Sequence, residues 1–388
     1  MKYIPEQDRP APRERTAGII SALMLFLCIV AVAVFSWQRS LDPSIDPREM
    51  MLRLTGSEER EAKVAEVLYS FVFDIRDKPV FTLHRGNIVK CSRSGVLFLD
   101  KKGGILRSEG IEFEDPIVRT SGSRVLLANA GSTEICVMDG DSIRWQDKTD
   151  TAILNADISD GGYVTVITSA KRDNNVIRVY ESHGVELFRK IIATDFAVSA
   201  GVSPSKKHLV LSAVATGAAG PYSRYKFYDM EGKELAEVSF DSSGELLPLF
   251  WFNRDDSIFA VGDSAAACID PAGKVRWKEQ FRSVAGASTV GDGRLAVAAH
   301  EDDGAVLNIY TADGKKDVSV KLQGIPKGLD GVRGMVSVYT DDMVYFFNER
   351  GINTHIYNAG EKIQHVHLFD RKQAAVITAG EITVIAID

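Results

Sequence analysis

A motif of strand, glycine-containing turn and strand recurs seven times between residue 96 and the C-terminus. The copies are VLFLDKKGGIL, ICVMDGDSIRW, IRVYESHGVEL, YKFYDMEGKEL, ACIDPAGKVRW, LNIYTADGKKD and VYFFNERGINT. Their turn glycines are Gly104, Gly140, Gly184, Gly232, Gly273, Gly314 and Gly351. The mean spacing is about 41 residues, which matches the length of a four-stranded β-propeller blade. A repeat architecture is therefore the first expectation for this chain.

Further apolar strands precede these hairpins, for example DGGYVTVITSA, SPSKKHLVLSAV and NRDDSIFAVGD. They are rich in Val, Leu, Ile and Ala, as expected for strands buried between neighbouring sheets. Shorter apolar pieces such as ILNADIS and LPLFWFN supply a fourth strand for each repeat. A helical solenoid would need longer apolar stretches at helical spacing, and the repeats lack them. The predicted fold class is all-β.

The two ends of the repeat region predict how the ring closes. Residues 362–388 provide three strands, whereas YSFVFDI at Tyr69–Ile75 is an extra strand before the first full repeat. Pairing this strand with the last blade would remove two exposed sheet edges. The sequence thus predicts a β-propeller of about eight four-stranded blades, one of them composite. Seven blades is the alternative.

One segment near the N-terminus is far more apolar than the rest. Thr16–Trp37 contains no charged residue, and as a helix it would be about 33 Å long, enough to cross a membrane. We expect a retained transmembrane helix. A cleaved signal peptide ending near Ala31-Val32-Ala33 is the alternative, although the apolar core of such peptides is usually shorter.

The residues that flank this segment predict its orientation. Lys2, Arg9, Arg13 and Arg15 precede it and Arg39 follows it, so the positive-inside rule places the N-terminus in the cytoplasm. The predicted organisation is a cytoplasmic tail at 1–15, a transmembrane helix at 16–38, a juxtamembrane stalk at 39–66 and an extracytoplasmic propeller at 67–388. Arg48–Val67 gives the stalk some helical character.

Charge and cysteine content narrow the range of partners. The formal net charge is −7, and no run of Lys and Arg is longer than a pair. We therefore expect neither nucleic acid nor an anionic membrane surface as a partner. Outside the apolar segment, Cys91, Cys136 and Cys268 have no CxxC or CxxH spacing. Each is expected to be a small buried residue, and one disulfide bridge among them is the alternative.

Several segments together resemble a known family. The apolar anchor, PVFTLHRGNIVKCSRSGVLFLDKKG, SPSKKHLVLSAV and YKFYDMEGKEL are similar to a membrane-anchored bacterial β-propeller family of unknown function found in clostridia and their relatives. More distantly, the repeats, two of which end in Arg144-Trp145 and Arg276-Trp277, resemble quinoprotein-like and WD-repeat propellers. The resemblance implies a fold, a topology and a location on the outer face of the cytoplasmic membrane. It transfers no catalytic residue.

No motif predicts a metal, a cofactor or a catalytic group. His365 and His367 lie two apart on a predicted strand and could share a metal, but no third ligand is near. Gly291-Asp292-Gly293 and Asp139-Gly140-Asp141 are expected to be turns, because the wider phosphate-binding and calcium-binding patterns are missing. The four tryptophans cannot form the stacking ring of a quinone-dependent enzyme.

One unusual segment is the candidate binding site. Ala215–Tyr225, ATGAAGPYSRY, is predicted to be an extended hairpin loop. Tyr222, Arg224 and Tyr225 are residue types that are enriched at interface hot spots. A flexible hairpin extension without a binding role is the alternative.

The sequence leaves two classes of function open. The first is a tethered scaffold that binds an envelope protein, a peptide or a polymer. The second is an envelope enzyme, such as a glycan lyase or hydrolase, with its site in the propeller channel. The inner-strand candidates ILNADIS, FAVSAGVS and LPLFWFN contain one Asp among mostly apolar and small residues. This scarcity of acid and base groups favours binding.

Overall fold

The computed structural model describes residues 62–388 except 141, 171–174, 219 and 292. The predicted cytoplasmic tail, the transmembrane helix, stalk residues 39–61, Asp141 and Asp292 lie outside the described residues. The described chain opens with two strands, β1 Lys63–Val64 and β2 Glu66–Val72, followed by a 3-10 helix at Ile75–Asp77.

Among the residues that the structure describes, no helix is long and apolar enough to cross a membrane.

Eight antiparallel sheets follow one another along the chain. Blade 1 contains β3 Val80–His84, β4 Asn87–Ser92, β5 Gly95–Leu99 and β6 Ile105–Glu109. Blade 2 contains β7 Pro116–Ser121, β8 Arg124–Asn129, β9 Glu134–Asp139 and β10 Ser142–Lys148. Blade 3 contains β11 Ile153–Ile158, β12 Val164–Ser169, β13 Asn175–Tyr180 and β14 Glu186–Ile192. Blade 4 contains β15 Phe196–Val202, β16 Leu209–Gly217, β17 Gly220–Tyr228 and β18 Glu234–Ser239.

The second half of the ring repeats this plan. Blade 5 contains β19 Leu249–Phe252, β20 Ile258–Val261, β21 Ala265–Ile269 and β22 Val275–Gln280. Blade 6 contains β23 Ser283–Thr289, β24 Arg294–Glu301, β25 Gly304–Thr311 and β26 Lys316–Lys321. Blade 7 contains β27 Gly328–Val332, β28 Met335–Tyr339, β29 Met343–Phe347 and β30 Asn353–Asn358. Blade 8 contains β31 His365–Leu368, β32 Gln373–Ile377 and β33 Glu381–Ala386, with β2 as its fourth strand.

The strands of each blade are called A to D from the channel to the rim. The A–B and C–D turns lie on one face of the disc, here the lower face. The B–C turns and the D–A connections between blades lie on the other, the upper face. This meander confirms the predicted eight-bladed all-β propeller and excludes the seven-bladed alternative.

The ring closes as the sequence predicts. Strand β2 pairs antiparallel with β33, from Glu66–Ala386 to Val72–Glu381. Blades 8 and 1 also share an apolar core that includes Ile88, Leu99 and Val384. Both ends of the chain therefore contribute to one blade, which leaves no gap in the ring.

The junction between stalk and propeller differs from the expected partly helical segment. Lys63–Val64 is a strand that pairs parallel with β30 and adds a fifth strand to blade 7. Strand β2 starts at Glu66. Val64 and Val67 are exposed. The propeller sheets therefore begin before residue 67.

The C–D turns require glycine where the repeat places it. Gly140, Gly184, Gly232, Gly273, Gly314 and Gly351 all have positive φ, a conformation that other residues adopt only at a cost. In blade 1 the left-handed glycine is Gly103 rather than the expected Gly104. The period holds, but the first copy is displaced by one residue because its turn contains two glycines.

The three described cysteines lie inside the blades. Cys91, Cys136 and Cys268 are free and buried, which confirms the prediction made for them. Burial raises the pKa of the Cys91 thiol to about 12 and that of Cys268 to about 11. These thiols behave as small apolar side chains.

Candidate binding surfaces

The segment predicted as a protruding loop lies in a long, regular hairpin. Strands β16 and β17 pair without interruption from Leu209–Tyr228 to Gly217–Gly220. Tyr222 is 6% exposed and Tyr225 is fully buried. The expectation that these tyrosines are exposed is therefore wrong. The alternation of Arg224 and Lys226 with Tyr225 and Phe227 is the pattern that indicates a strand here.

Tyr225 connects two blades. Its hydroxyl lies 2.5 Å from the carbonyl oxygen of Leu247 and 3.2 Å from that of Leu249, so it can donate to the chain that enters blade 5. Burial without a nearby charge raises the pKa of this phenol. The side chain holds blade 5 against blade 4 and is not available to a partner.

Arg224 belongs to a partly buried ion-pair network. Its guanidinium donates to Asp195 at 2.9 Å and to the Tyr222 hydroxyl at 2.7 Å. The side chain of Asp195 is only 1% exposed, and Lys226 lies 3.8 Å from it. The guanidinium thus neutralises a buried carboxylate. The structure pairs Tyr222 with Arg224 on one side of β17 and turns Tyr225 to the other side, toward blade 5. All three residues make contacts that hold blade 4 in place.

The upper mouth of the channel carries exposed apolar side chains. Because every inner strand runs downward from the upper face, the first residues of these strands meet around this mouth. Val80, Leu154, Phe196 and Leu249 lie at or next to such starts and are between 38% and 57% exposed. Exposed apolar side chains around one opening are a feature of binding surfaces.

Carboxylates surround this mouth. Exposed acidic residues of the D–A connections and B–C turns are Asp74, Glu112, Glu114, Asp115, Asp150, Asp241, Asp263, Asp302, Asp303, Asp341, Asp342 and Glu361. The exposed basic residues described in the same segments are fewer, namely Arg76, Lys78, Arg93, Arg282, Lys327 and Lys362. Much of the chain's negative charge therefore lies on the upper face.

A groove of about 750 Å³ opens on the upper face beside blade 2. The D–A connection from blade 1 forms one wall, and strands β8 to β10 form the other. Its apolar lining includes Ile111, Phe113, Leu127 and Ile135. This volume is in the range of pockets that hold small molecules or a few peptide side chains.

The rim of this groove is acidic. Glu112, Glu134 and Asp147 all line it, and Lys148 is the basic residue among the lining residues. The Lys148 ammonium lies 2.9 Å from Glu134, and both side chains are exposed. One carboxylate is thereby neutralised and two are left to act on a ligand. The groove combines an apolar floor with negative charge at its edge.

The channel contains a group of titratable side chains. The sequence indicated His365 and His367 but not Asp330. His365 and His367 lie on β31 with ring centroids 6.2 Å apart. Asp330, on β27, accepts the backbone N–H of Leu368 at 2.8 Å and that of Gly331 at 2.9 Å. Burial raises the pKa of the Asp330 carboxyl and lowers that of the His367 imidazole. Both Asp330 oxygens are thus used in backbone contacts, one of which joins blades 7 and 8.

Asp330 was missed because its strand, GLDGV, contains two glycines and lacks a clear strand pattern. Asp157, in the predicted segment ILNADIS, lies on the inner strand β11. Burial raises the pKa of its carboxyl to about 6, although the charge of Arg119 opposes the shift. Within the described part of the chain, no group of three or more His, Cys, Asp and Glu side chains is placed to hold a metal ion.

Fold and surfaces together define an eight-bladed β-propeller with a grooved, acidic upper face. BamB from Moraxella catarrhalis is similar at 17% identity and a TM-score of 0.56, covering 83% of this chain and 100% of that chain. The C-terminal WD40 domain of Sif2 is similar at 12% identity and a TM-score of 0.58, covering 84% of this chain and 99% of that chain. Sqt1 from Chaetomium thermophilum is similar at 8% identity and a TM-score of 0.55, covering 83% of this chain and 96% of that chain. At these identities the similarity shows the fold alone.

Residues 60–387 match DUF5711, described as a family of unknown function, and the chain belongs to that family. No curated protein matches the chain significantly. Family membership and the structural neighbours confirm the expected β-propeller of a family of unknown function.

Proposed function

We propose that this protein is a binding scaffold of the cell envelope. In this proposal the Thr16–Trp37 segment anchors the chain in the cytoplasmic membrane, the propeller lies on the extracytoplasmic side, and the upper-face groove binds a segment of another envelope protein. The observation that carries the proposal is the groove of about 750 Å³ with its apolar floor and acidic rim. An apolar core within a charged rim is the usual arrangement of a protein interface.

The chemistry of the groove specifies the partner. An apolar side chain can enter beside Ile111, the partly exposed apolar residue of the lining, where it is removed from water. Lysine or arginine residues beside it would meet Glu112 and Asp147 on the rim. The proposed ligand is therefore an extended segment with an apolar anchor and basic flanks. Rim charges of this kind speed association and select the partner.

Site-specific photocrosslinking in intact cells tests the groove. A photoreactive amino acid at Glu112 should capture a discrete partner, whereas the same group at Glu231, in the C–D turn of blade 4 on the lower face, should not. The crosslinked partner segment, identified by mass spectrometry, should be apolar and basic. Glu112→Lys with Asp147→Lys should abolish capture from a neighbouring groove position, and Glu231→Lys with Glu349→Lys should not. Equal capture from both faces would contradict the proposal.

A separate experiment tests the topology. Protease added to intact protoplasts should degrade the chain after Gln38 and leave the first residues and the anchor, because the propeller is exposed outside. A protected propeller would show that the orientation is inverted, whatever the groove binds.

An enzyme with its site in the channel is the alternative. Asp157, Asp330 and His367 supply acid and base groups there. Both oxygens of Asp330 are already bonded to backbone N–H groups, which indicates a structural role. We therefore propose binding rather than catalysis.

A further inference from the structure

The lower mouth of the channel is surrounded by basic side chains. The A–B turns line this mouth because they follow the inner strands. They place Arg85 in blade 1, Lys206 and Lys207 in blade 4, Arg333 in blade 7, and Arg371 and Lys372 in blade 8, all exposed. Arg254 adds a basic residue in blade 5. Together these side chains form the lower basic ring.

The carboxylates in the described A–B turns are largely engaged within the turns. Asp256 accepts the N–H and the hydroxyl of Ser205 and lies 2.9 Å from His208 Nδ1. Asp370 accepts the backbone N–H of Lys372 at 2.7 Å. These acids fix the turns. Of the basic side chains, Lys206 lies over the Tyr163 ring with its ammonium 6.0 Å from the centroid, and the Lys372 ammonium lies 4.0 Å from the Asp388 carboxylate; both residues stay exposed. The described A–B turns hold seven basic and four acidic residues, so this mouth carries a net positive charge in a chain of negative net charge.

Three residues of the ring have an unusual backbone. Arg85, Lys206 and Arg333 have φ of 51°, 63° and 43°. Gly86 and Gly334 follow two of them with positive φ as well, which is the geometry of a two-residue hairpin turn that favours Asn-Gly. Long basic side chains therefore occupy positions where glycine or asparagine would fold at lower cost. Strain of this kind is found at functional positions.

An unsatisfied side chain lies next to the ring. His84, the last residue of β3, is 6% exposed, and neither of its ring nitrogens has a hydrogen-bond partner. Buried polar groups are normally satisfied. The imidazole ring lies edge-on to Phe98 of β5, with centroids 6.4 Å apart.

The distribution of charge distinguishes between anionic ligands. The outer C–D turns of the same face are nearly balanced in charge, for example Asp270 with Lys274 in blade 5 and Asp313 with Lys315 in blade 6. A flat anionic membrane would contact both rings of turns, whereas a narrow segment would contact only the inner one. Asp160 and Asp255 lie exposed in the inner turns and would repel a densely charged phosphate polymer. A polypeptide that mixes acidic and neutral residues avoids both penalties.

We propose that the lower basic ring binds an acidic polypeptide segment of a second partner. The inference rests on the proposed binding function but uses the opposite face of the disc and ligand chemistry of opposite sign. The propeller would then hold two different segments at once, a basic one above and an acidic one below. Its faces would not compete, because their fields select opposite charges.

Fluorescence anisotropy on the full chain in neutral detergent micelles tests whether the lower basic ring binds an acidic segment. The probe is a dye-labelled peptide of alternating Glu and Ala, and its binding should weaken as salt rises because exposed charges are screened. Lys206→Glu, Arg333→Glu and Arg371→Glu together should lower affinity at least about tenfold. The matched upper-face variant, Arg282→Glu, Lys327→Glu and Lys362→Glu, should bind normally. Circular dichroism confirms that both variants are folded. The lower-ring variant should gain affinity for a Lys-Ala peptide.

Four results would overturn the proposal. They are no binding of the Glu-Ala peptide at low salt, an equal loss in the upper-face control, binding of polyphosphate or anionic vesicles in place of the peptide, and salt-sensitive self-association that the lower-ring variant abolishes. The groove variant Glu112→Lys with Asp147→Lys should still bind the acidic peptide. If the groove with its native Glu112 and Asp147 captured no partner while the acidic peptide still bound, only the proposed upper-face function would be removed.

Discussion

The indole of Trp145 in blade 2 stacks on the phenol ring of Tyr180 in blade 3, with centroids 5.5 Å apart. Gly184, in the C–D turn of blade 3, lies against the same indole. A Cβ at this glycine would come within 2.7 Å of the Trp145 ring. The turn glycine therefore does two things: it adopts a positive φ, and it makes room for the outer strand of the preceding blade.

The same arrangement recurs three blades later. Trp277 stacks on Tyr310 with centroids 5.3 Å apart, and a Cβ at Gly314 would approach the Trp277 ring to 2.8 Å. Both tryptophans belong to Arg-Trp pairs that end a repeat. The period in the sequence thus corresponds to one contact between consecutive blades.

The first prediction separates these two roles of glycine. Gly184→Ala should destabilise the fold by about 2 to 4 kcal/mol, because backbone strain adds to overpacking against the indole. Gly131→Ala is the matched control. Its φ is +79°, but a Cβ there would meet nothing within 4 Å, so only about 1 kcal/mol should be lost. Urea unfolding measures both, and equal losses would show that strain alone matters.

The second prediction concerns the buried carboxylate of blade 4. Arg224→Ala should destabilise the protein by about 2 to 4 kcal/mol, because the buried carboxylate of Asp195 loses its direct partner and only the more distant Lys226 remains. The double variant Arg224→Ala with Asp195→Ala should recover part of this loss. Additive losses in a double-mutant cycle would contradict the assigned ion pair.

Tyr225→Phe should lower the free energy of unfolding by about 1 kcal/mol, because it removes the hydrogen bond from the Tyr225 hydroxyl to blade 5.

The third prediction concerns closure of the ring. Deleting Tyr69–Ile75 should lower the unfolding midpoint and promote association, because β33 then presents a free edge. A chain that starts at Ala62 is the control, since it keeps β2 and its pairing with β33. Sedimentation and thermal unfolding report the two effects. A shortened chain that stayed monomeric and equally stable would show that closure does not depend on β2.

The fourth prediction follows from the raised pKa of Asp157. An ordinary aspartate has a pKa of 3.8, whereas that of folded Asp157 is about 6. Between these values the unfolded chain gives up a proton that the folded chain keeps, so stability falls as pH rises from about 4 to 6 and stays lower above that. Asp157→Asn should abolish this fall, which amounts to about 3 kcal/mol.

Unfolding measured from pH 4 to pH 7 tests this difference between wild type and Asp157→Asn. Asp303→Asn, in an exposed B–C turn of blade 6, is the control and should follow the wild-type curve. Parallel curves for wild type and Asp157→Asn across the range would show that Asp157 titrates normally.

The repeat pattern alone predicted most of the fold. Strand periodicity and turn glycines are local properties, and the need to avoid free sheet edges follows from counting strands at the two ends. Blade number, closure by the N-terminal strand and burial of the cysteines all came from such evidence. The first turn shows the limit of this kind of prediction. The repeat places the turn glycine at Gly104, whereas Gly103 has the positive φ, because a one-residue shift within a turn leaves the local pattern unchanged.

The binding surfaces could not be predicted in this way. Tyr222, Arg224 and Tyr225 have the composition of a hot spot, but their burial depends on blade 5 and on Asp195, which are distant in sequence. The lower basic ring escaped notice for the converse reason. Its residues stand singly or in pairs along the chain, and no segment is notably basic.

The sequence by itself determined the unit of this protein, a four-stranded blade of fixed length, because each blade is stabilised by neighbouring strands that are close in the chain. Only the tertiary structure decided which side chains are available to partners. Closing eight blades into a ring brings the first residues of all inner strands to the upper mouth of the channel. The A–B turns that follow these strands meet at the lower mouth. Exposure, grooves and the opposite charges of the two faces arise from that closure, which no local pattern encodes.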